Sequence, residues 1–410
     1  MNKNYDVIIV GARCAGATLA ISLAEAGFQV LLLDRATFPS DTLTTNTFFN
    51  NTTAIFREIG VLDQLLETNV TPVQTIKFQF EDTVIEGPIP KVDGEDTAYS
   101  IRRKYLDHIL LQHAKTKENI KMIEGIRVTE VIYDGETVIG VRGENLEKQK
   151  QEFRAQLVVG ADGRNSRIRK LVNSELKISS PASTAVYYGY FSGIQHDSVP
   201  KFEVYKRKDK MAIFFPTNDD LYVLVINFPL ENKSLLDQFK TVPENSFRTF
   251  LMNNFPNTSI ADRVKESQLT ESIKGLIGYE NYWYQGMGKG WALVGDAICF
   301  KDPAMAQGIH DAICGARILA DKLIKNDLQT IQWEKVAVDY QNEMEKEFMV
   351  RFHMGCELSK NEPITEQQDM VNKIIGAHPS AVEKFLGIYN YANEPADFEE
   401  ELKRIIASIS

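Results

Sequence analysis

The chain has 410 residues, 43% hydrophobic and 25% charged, which is the composition of an ordinary globular protein. That length exceeds what a single hydrophobic core usually serves, so two interlocked lobes are expected. A net charge of −10 argues against a general nucleic-acid binder, which needs a basic surface, and leaves room for a local site that takes a small anion.

Residues 6–10 (Asp-Val-Ile-Ile-Val) form a short apolar, β-branched run of the kind found in parallel strands buried on both faces. Gly11 to Gly16 follow, then an Ala-rich helix over residues 17–26 that ends at Gly27. A second buried strand over 29–33 closes at Asp34, giving a βαβ unit at the start of the chain. From 72 to 98 the pattern becomes short alternating strands with turns, and a helix is expected over 103–116. Strands at 124–133 and 138–142 lead to another buried strand at 157–160. Residues 185–193, 202–206, 211–215 and 222–229 read as antiparallel strands. Buried-strand character returns at 291–294, a helix spans 307–324, and the chain from 333 onward is charge-rich and helical.

The first turn reads Gly11-Ala12-Arg13-Cys14-Ala15-Gly16, a G-x-x-x-x-G with Arg13 at the usual middle glycine. Gly11 permits the tight turn and Gly16 lets the helix pack closely on the sheet, so the helix N-terminus can present amides to a pyrophosphate. Asp34, at the end of the second strand, is placed to accept hydrogen bonds from an adenosine ribose. Arg13 replaces a close backbone approach with a side chain that could itself contact phosphate, and Arg13 and Arg35 could flank the loop over 41–48. A tight turn in a non-binding α/β domain is the alternative.

Two further segments narrow the reading. Residues 158–169 run strand, Asp162-Gly163 turn, then helix. Residues 291–297 run strand, Gly295-Asp296, followed by Asp302-Pro303 and by Gln307-Gly308-Ile309 opening a helix. With these three fingerprints in order, the chain resembles the group A flavoprotein monooxygenases of the p-hydroxybenzoate hydroxylase fold, a superfamily that includes halogenases and geranylgeranyl-reductase-like enzymes.

The resemblance covers about the first 325 residues. It implies an α/β fold in which a Rossmann-type FAD-binding domain (1–71, 99–178 and 275–330) is interleaved with an antiparallel β-sheet substrate domain (72–98 and 179–274), with a C-terminal helical region over 331–410.

The resemblance also implies roles. Asp296 would accept a hydrogen bond from a ribityl hydroxyl, and Gly295 would let the backbone come close. The loop from Pro303 to Gly308 would lie along the isoalloxazine, with the helix at Gln307, Gly308 and Ile309 facing its pyrimidine end. Asp162 and Gly163 would hold a turn between FAD and the nicotinamide approach, and Arg103 matches an R-x-x-L helix start whose arginine contacts FAD. The loop over 41–48 would pass near the flavin's edge. Departures are Ile298-Cys299 where the family often has Ala-His, and His310, read as a packed or surface residue. Cys299 reads as packing rather than a reactive thiol.

The activity implied is a hydroxylase that uses NADH or NADPH and O2, through a C4a-hydroperoxyflavin, on a small aromatic or polycyclic substrate. The alternative is a reductase or desaturase of an isoprenoid-like substrate. A halogenase is disfavoured because no W-x-W-x-I-P motif occurs; Tyr282-Trp283-Tyr284 is followed by Gln-Gly. Tyr188, Phe214, Pro216 and Tyr222 are the weak candidates for substrate contact, although strand alternation lets only one of Phe214 and Phe215 face a given side. No catalytic base, metal site or 2′-phosphate pocket is recognisable.

Four cysteines (Cys14, Cys299, Cys314, Cys356) without CxxC or metal spacing suggest a reducing, cytoplasmic compartment. The strand pattern begins at residue 6, leaving no room for a signal peptide, and no apolar run reaches the ~18 residues of a membrane span. A monomer or homodimer is expected.

Overall fold

The computed structural model describes residues 5–42, 46–195, 198–256 and 258–409. Its first sheet is built on Tyr5–Val10, flanked in parallel by Val30–Leu33 and Lys150–Gly160, with Ile8 opposite Leu31 on one side and Val158 on the other. Trp291–Leu293 and Ile120–Ile123 extend the parallel arrangement outward, and Met287–Gly288 closes one edge as an antiparallel hairpin partner. Val7 to Ile9 and Leu31 to Leu33 are fully buried, as unbroken apolar strands covered on both faces must be. The helices Cys14–Glu25 and Gly308–Ile324 pack together, and side chains of both enter the core of this sheet.

A second sheet runs in the order Gln268–Leu269, Thr184–Ser192, Tyr222–Pro229, Lys210–Pro216, Lys201–Arg207, Thr75–Phe80, Thr83–Pro88, with Lys274–Ile277 also paired to Thr184–Ser192. It unites segments far apart in sequence. Where they join, Thr75–Phe80 and Lys201–Arg207 pair in parallel, which corrects the expectation of a wholly antiparallel sheet. A parallel pair requires a long crossover, and here more than a hundred residues, most of them in the first lobe, lie between the two strands.

Strand alternation divides this sheet cleanly. Val186, Tyr188, Tyr190, Ile213 and Phe215 enter one core, and Tyr187, Phe191, Phe214, Tyr222 and Leu224 enter another on the opposite face. That opposite face is covered by Lys233–Thr241, Pro243–Asn254 and Ser259–Lys265, three helices that the reading of 179–274 as sheet did not foresee. They form because Leu236, Phe239, Phe247, Phe250, Leu251, Ile260 and Val264 recur at helical spacing and bury there. Asn50–Glu58 is a further helix not foreseen.

The C-terminal region is helical, as expected. Trp333–Leu358 lies along Gly308–Ile324, with the Tyr340 hydroxyl donating to the Leu293 carbonyl at 2.8 Å. Glu366–Ala377 and Pro379–Gly387 pack on Thr83–Pro88, the sheet's edge strand, and bury Ile375, Ala381 and Leu386 with it. An edge strand covered in this way cannot pair with another chain. Among the described residues no helix is long and apolar enough to cross a membrane.

Leu386 is fully buried against this strand. Leu386→Ala is expected to cost about 2–5 kcal/mol, the range for a truncated core leucine, read as a lower urea midpoint. An unchanged midpoint would mean the C-terminal helices do not stabilise the sheet.

Candidate functional site

The carboxyl ends of the parallel strands open into a cleft of about 620 Å³ that reaches the second sheet. Gly11 forms its floor. Its φ is +107°, and a Cβ there would lie 2.3 Å from the Ala161 carbonyl oxygen, so only glycine fits. Gly16 is more constrained still: a Cβ would stand 1.8 Å from the Gly11 oxygen. The helix Cys14–Glu25 therefore begins hard against the strand ends. No side chain caps its start, and Cys14 and Ala15 line the cleft. Ala12 and Gly16 lie behind this surface rather than on it.

Asp34 is buried and fixes the turn. Its Oδ2 accepts from the Ala12 amide and its Oδ1 from the Ala36 amide, each at 2.8 Å. Each oxygen keeps a lone pair for a further donor. Arg13 also lines the cleft, where its guanidinium donates to the Ser40 hydroxyl at 2.9 Å and pairs with Asp107. Arg103 donates to Asp107 from Nε at 3.0 Å and Nη2 at 2.7 Å while still lining the cleft. Burial opposes the Arg103 charge, but Asp107 beside it holds the guanidinium above its ordinary pKa. Burial likewise pushes the Cys14 thiol up to about 12, which makes it a poor nucleophile.

On the facing wall, Asp162 pins the turn that follows Lys150–Gly160: it accepts from the Ser166 hydroxyl at 2.5 Å and from the Ile168 amide at 3.2 Å. Gly163 takes φ +77° in that turn. Gly295, with φ +61°, brings the third fingerprint close to the first, since a Cβ there would lie 3.1 Å from that of Ala15. Asp296 faces the cleft, and among the described residues its carboxylate makes no hydrogen bond. Burial raises its pKa to about 6, against the lowering influence of Arg103 and Arg164.

Pro303 begins the short 3-10 turn Pro303–Met305, and Ala306 is held at φ +53° before Gly308 opens the long helix. Pro303, Gly308 and Ile309 line the cleft. Gln307 does not; it accepts from Lys301 at 2.7 Å and donates to the Tyr389 carbonyl at 3.1 Å, tying this loop to the C-terminal region.

Of the four substrate-contact candidates, only Tyr188 lines the cleft. Phe214 and Tyr222 point to the opposite face of the sheet, beneath the helices of 233–265, and Arg263 lies over both rings. Pro216 shares the side of Phe214 by alternation. The aromatic wall of the cleft is instead Tyr188 with Val186, Leu276 and Phe300, completed by Met344 and Phe348 from the C-terminal region. His310 is buried, contacts the Thr52 hydroxyl at 3.1 Å, and is pushed down to about 4 by burial, so it stays neutral and packed. Cys299 borders the cleft with its thiol pushed well up by burial. Of the loop over 41–48, Thr42 and Thr47 line the cleft, and residues 43–45 lie outside the described residues. Arg127, Arg164, Lys301 and Asp302 also reach it. No sequence signal marked Arg127, whereas Arg164 stood unremarked inside the Asp162-Gly163 segment.

A family model described as an FAD binding domain matches residues 4–327, and the chain belongs to that family. It is an FAD-dependent oxidoreductase. It is 24% identical over 361 residues to a kynurenine 3-monooxygenase of Christiangramia forsetii (84% of this chain, 77% of the relative). It is 25% identical over 336 residues to a digeranylgeranylglycerophospholipid reductase of Methanosarcina acetivorans (78% and 75%). The fold matches that of a flavin-dependent brominase with a TM-score of 0.80 at 16% identity, covering 99% of this chain and 100% of the brominase.

A carboxyl group raised above its unfolded value weakens folding once it must ionise. For Asp296 that loss sets in as pH rises from about 4 toward about 6. Cofactor-free Asp296→Asn is therefore expected to gain thermal stability relative to the wild type between pH 4 and pH 7. Parallel pH profiles for the two proteins would refute this electrostatic assignment.

Proposed function

We propose that the chain is an FAD-dependent monooxygenase. It would consume a reduced nicotinamide dinucleotide and dioxygen and place one oxygen atom on a small aromatic or polycyclic molecule. The balance is one substrate, one dioxygen, one NAD(P)H and one proton giving hydroxylated product, water and NAD(P)+. The observation that carries this reading is the continuity of the cleft. It runs from the glycine turn, past Asp296 and Pro303, to the apolar wall of Val186, Tyr188 and Leu276 on the second sheet. A dinucleotide whose pyrophosphate lies at Gly11 to Ala15 and whose adenosine ribose lies at Asp34 extends its other end toward that wall. Bound there, the flavin supplies hydride acceptance and oxygen activation.

The residues fit that group. The first-turn amides of Cys14–Glu25 face the phosphates, and Arg103, held by Asp107, adds a fixed positive charge. The Asp296 carboxylate would accept from a ribityl hydroxyl, and Pro303 and Gly308 would bring backbone along the ring. Gln307, buried behind the loop, supports it rather than touching the cofactor. Val186, Tyr188, Leu276 and Phe348 exclude water and orient an apolar substrate against the ring.

Two measurements test this. Asp296→Ala removes a charge-assisted hydrogen bond worth about 1.5–3 kcal/mol, so FAD is expected to bind about tenfold to a hundredfold more weakly. Because the hydroxyl donates to the ionised form, wild-type affinity should also rise as pH increases through about 6. A folded variant with full flavin occupancy would remove Asp296 from the site.

The second measurement reduces the bound flavin with dithionite under anaerobic conditions and mixes it with oxygenated buffer, with and without aromatic ligands, while recording flavin spectra. A transient absorbing species distinct from the reduced and oxidised forms is expected. Direct reoxidation under every condition would favour the reductase reading.

A further inference from the structure

Among the described residues, two groups of ion-paired side chains line the cleft. Arg13 and Arg103 share Asp107 beside the glycine turn, and Lys301 pairs with Asp311 where the loop after Gly295-Asp296 enters the long helix Gly308–Ile324. The phosphates of a dinucleotide account for the first group and not for the second. Lys301 and Asp311 stand 2.7 Å apart, Nζ to Oδ2, with the lysine side chain almost fully buried. Its stem lies along Trp333–Leu358, where a Cβ on Gly355 would stand 3.2 Å from that of Lys301. Taking two charges out of water costs more than their attraction returns unless further hydrogen bonds complete the pair. Here they do. Nζ also donates to the Gln307 side-chain oxygen at 2.7 Å, and Asp311 Oδ1 accepts from the Tyr391 hydroxyl at 2.7 Å.

Tyr391 lies beyond the residues that the FAD-binding family model matches. Its φ of +63° is a left-handed conformation that a tyrosine keeps only where its surroundings hold it. Arg351 does so: buried, it lays its guanidinium 3.8 Å from the ring centroid and donates to the Asn393 carbonyl at 3.0 Å. His310 packs on the same ring. A strained turn of the C-terminal region thus delivers one hydroxyl to one carboxylate oxygen at the cleft. Both charges of the pair are felt there. Burial raises Asp296 and Glu347, and the Asp311 charge pushes both the same way. Burial raises the Cys299 thiol, and Lys301 draws it back.

We propose that Lys301 and Asp311 set the reduction potential of the FAD held in this cleft, with Tyr391 a positioning residue that fixes the Asp311 carboxylate. The inference rests on the FAD reading of the cleft and adds to it which residues decide how readily the bound flavin is reduced. Uptake of two electrons and one proton leaves the cleft one negative charge richer, so a fixed charge nearby moves the affinities for oxidised and reduced FAD apart. Lys301 favours the reduced form and Asp311 opposes it. Because the pair is shielded from water, its hydrogen bonds rather than solvent fix the balance between the two.

The experiment equilibrates the FAD-loaded protein with a reference dye of known potential, with dithionite as the source of electrons. The affinity for oxidised FAD is measured alongside, so that the ratio of Kd values for the two forms follows. Lys301→Met is expected to weaken reduced relative to oxidised FAD about tenfold, and Asp311→Asn to strengthen it by about as much. The double variant should return to within about threefold of the wild type. Tyr391→Phe keeps both charges and should shift the ratio about threefold in the direction of Lys301→Met. Lys301→Arg, which conserves the charge, should stay close to the wild type.

A purely structural role would loosen the site and move both single variants the same way. Shifts of the same sign, no shift in either, or a double variant no nearer the wild type than the singles would overturn the inference. An unchanged ratio in Tyr391→Phe would overturn it as well, and that variant decides if the charge variants do not fold. A wild type that takes up no FAD would overturn the reading of the cleft and this inference with it. FAD bound with unmoved ratios would overturn the charge pair alone.

Discussion

The contact among Gly11, Gly16 and Ala161 leaves no room for a single methyl group. A Cβ on Gly11 or Gly16 would stand about 2 Å from a backbone oxygen, so the first helix meets two strand ends at van der Waals distance. Everything at the site follows from that approach. The strand ends of Tyr5–Val10 and Lys150–Gly160 line up, the helix amides open onto one cleft, and Gly295 comes within reach of Ala15. A side chain at either glycine would push the helix away and separate the three fingerprints that the cleft brings together.

Around this contact the polar groups divide by whether the protein already satisfies them. Asp162 and Asp107 spend their carboxylates on backbone amides, a serine hydroxyl or two arginines, so they hold shape, while Asp34 holds the turn and keeps a lone pair on each oxygen. Among the described residues, the Asp296 carboxylate makes no hydrogen bond and is kept for something else. A buried carboxylate without a hydrogen bond is costly, and its pKa near 6 is the sign of that cost. Sites tend to collect such groups because a ligand can relieve them.

The C-terminal region is part of the site as well as of the fold. Met344 and Phe348 reach the cleft, and Gln307 is tied to the turn that follows Pro379–Gly387. The same region covers the exposed edge of the second sheet. Cofactor loop, substrate wall and sheet edge are thus held by one stretch of chain that carries no motif of its own.

The sequence by itself determined the local elements whose physics is local. Unbroken β-branched runs, glycines where a turn must be tight, and aspartates at strand ends named the dinucleotide lobe, its three fingerprints and most of the elements near them. What it left undecided depends on distance in the chain. Period-2 alternation showed that Phe214 and Phe215 face opposite ways, but it could not say which face looked on the cleft. Packing of 233–265 assigned that face to Phe215 and Tyr188 and removed Phe214, Pro216 and Tyr222. Arg13 stood at a phosphate-binding position in the motif, and only the fold sets Asp107, 94 residues away, beside it. Likewise Arg127 and Lys170 are ordinary surface cations in the sequence; only the folding of separate strands to one cleft sets them beside Arg164 and Arg167. Charge acts through space, and the tertiary structure alone decides which charges are neighbours.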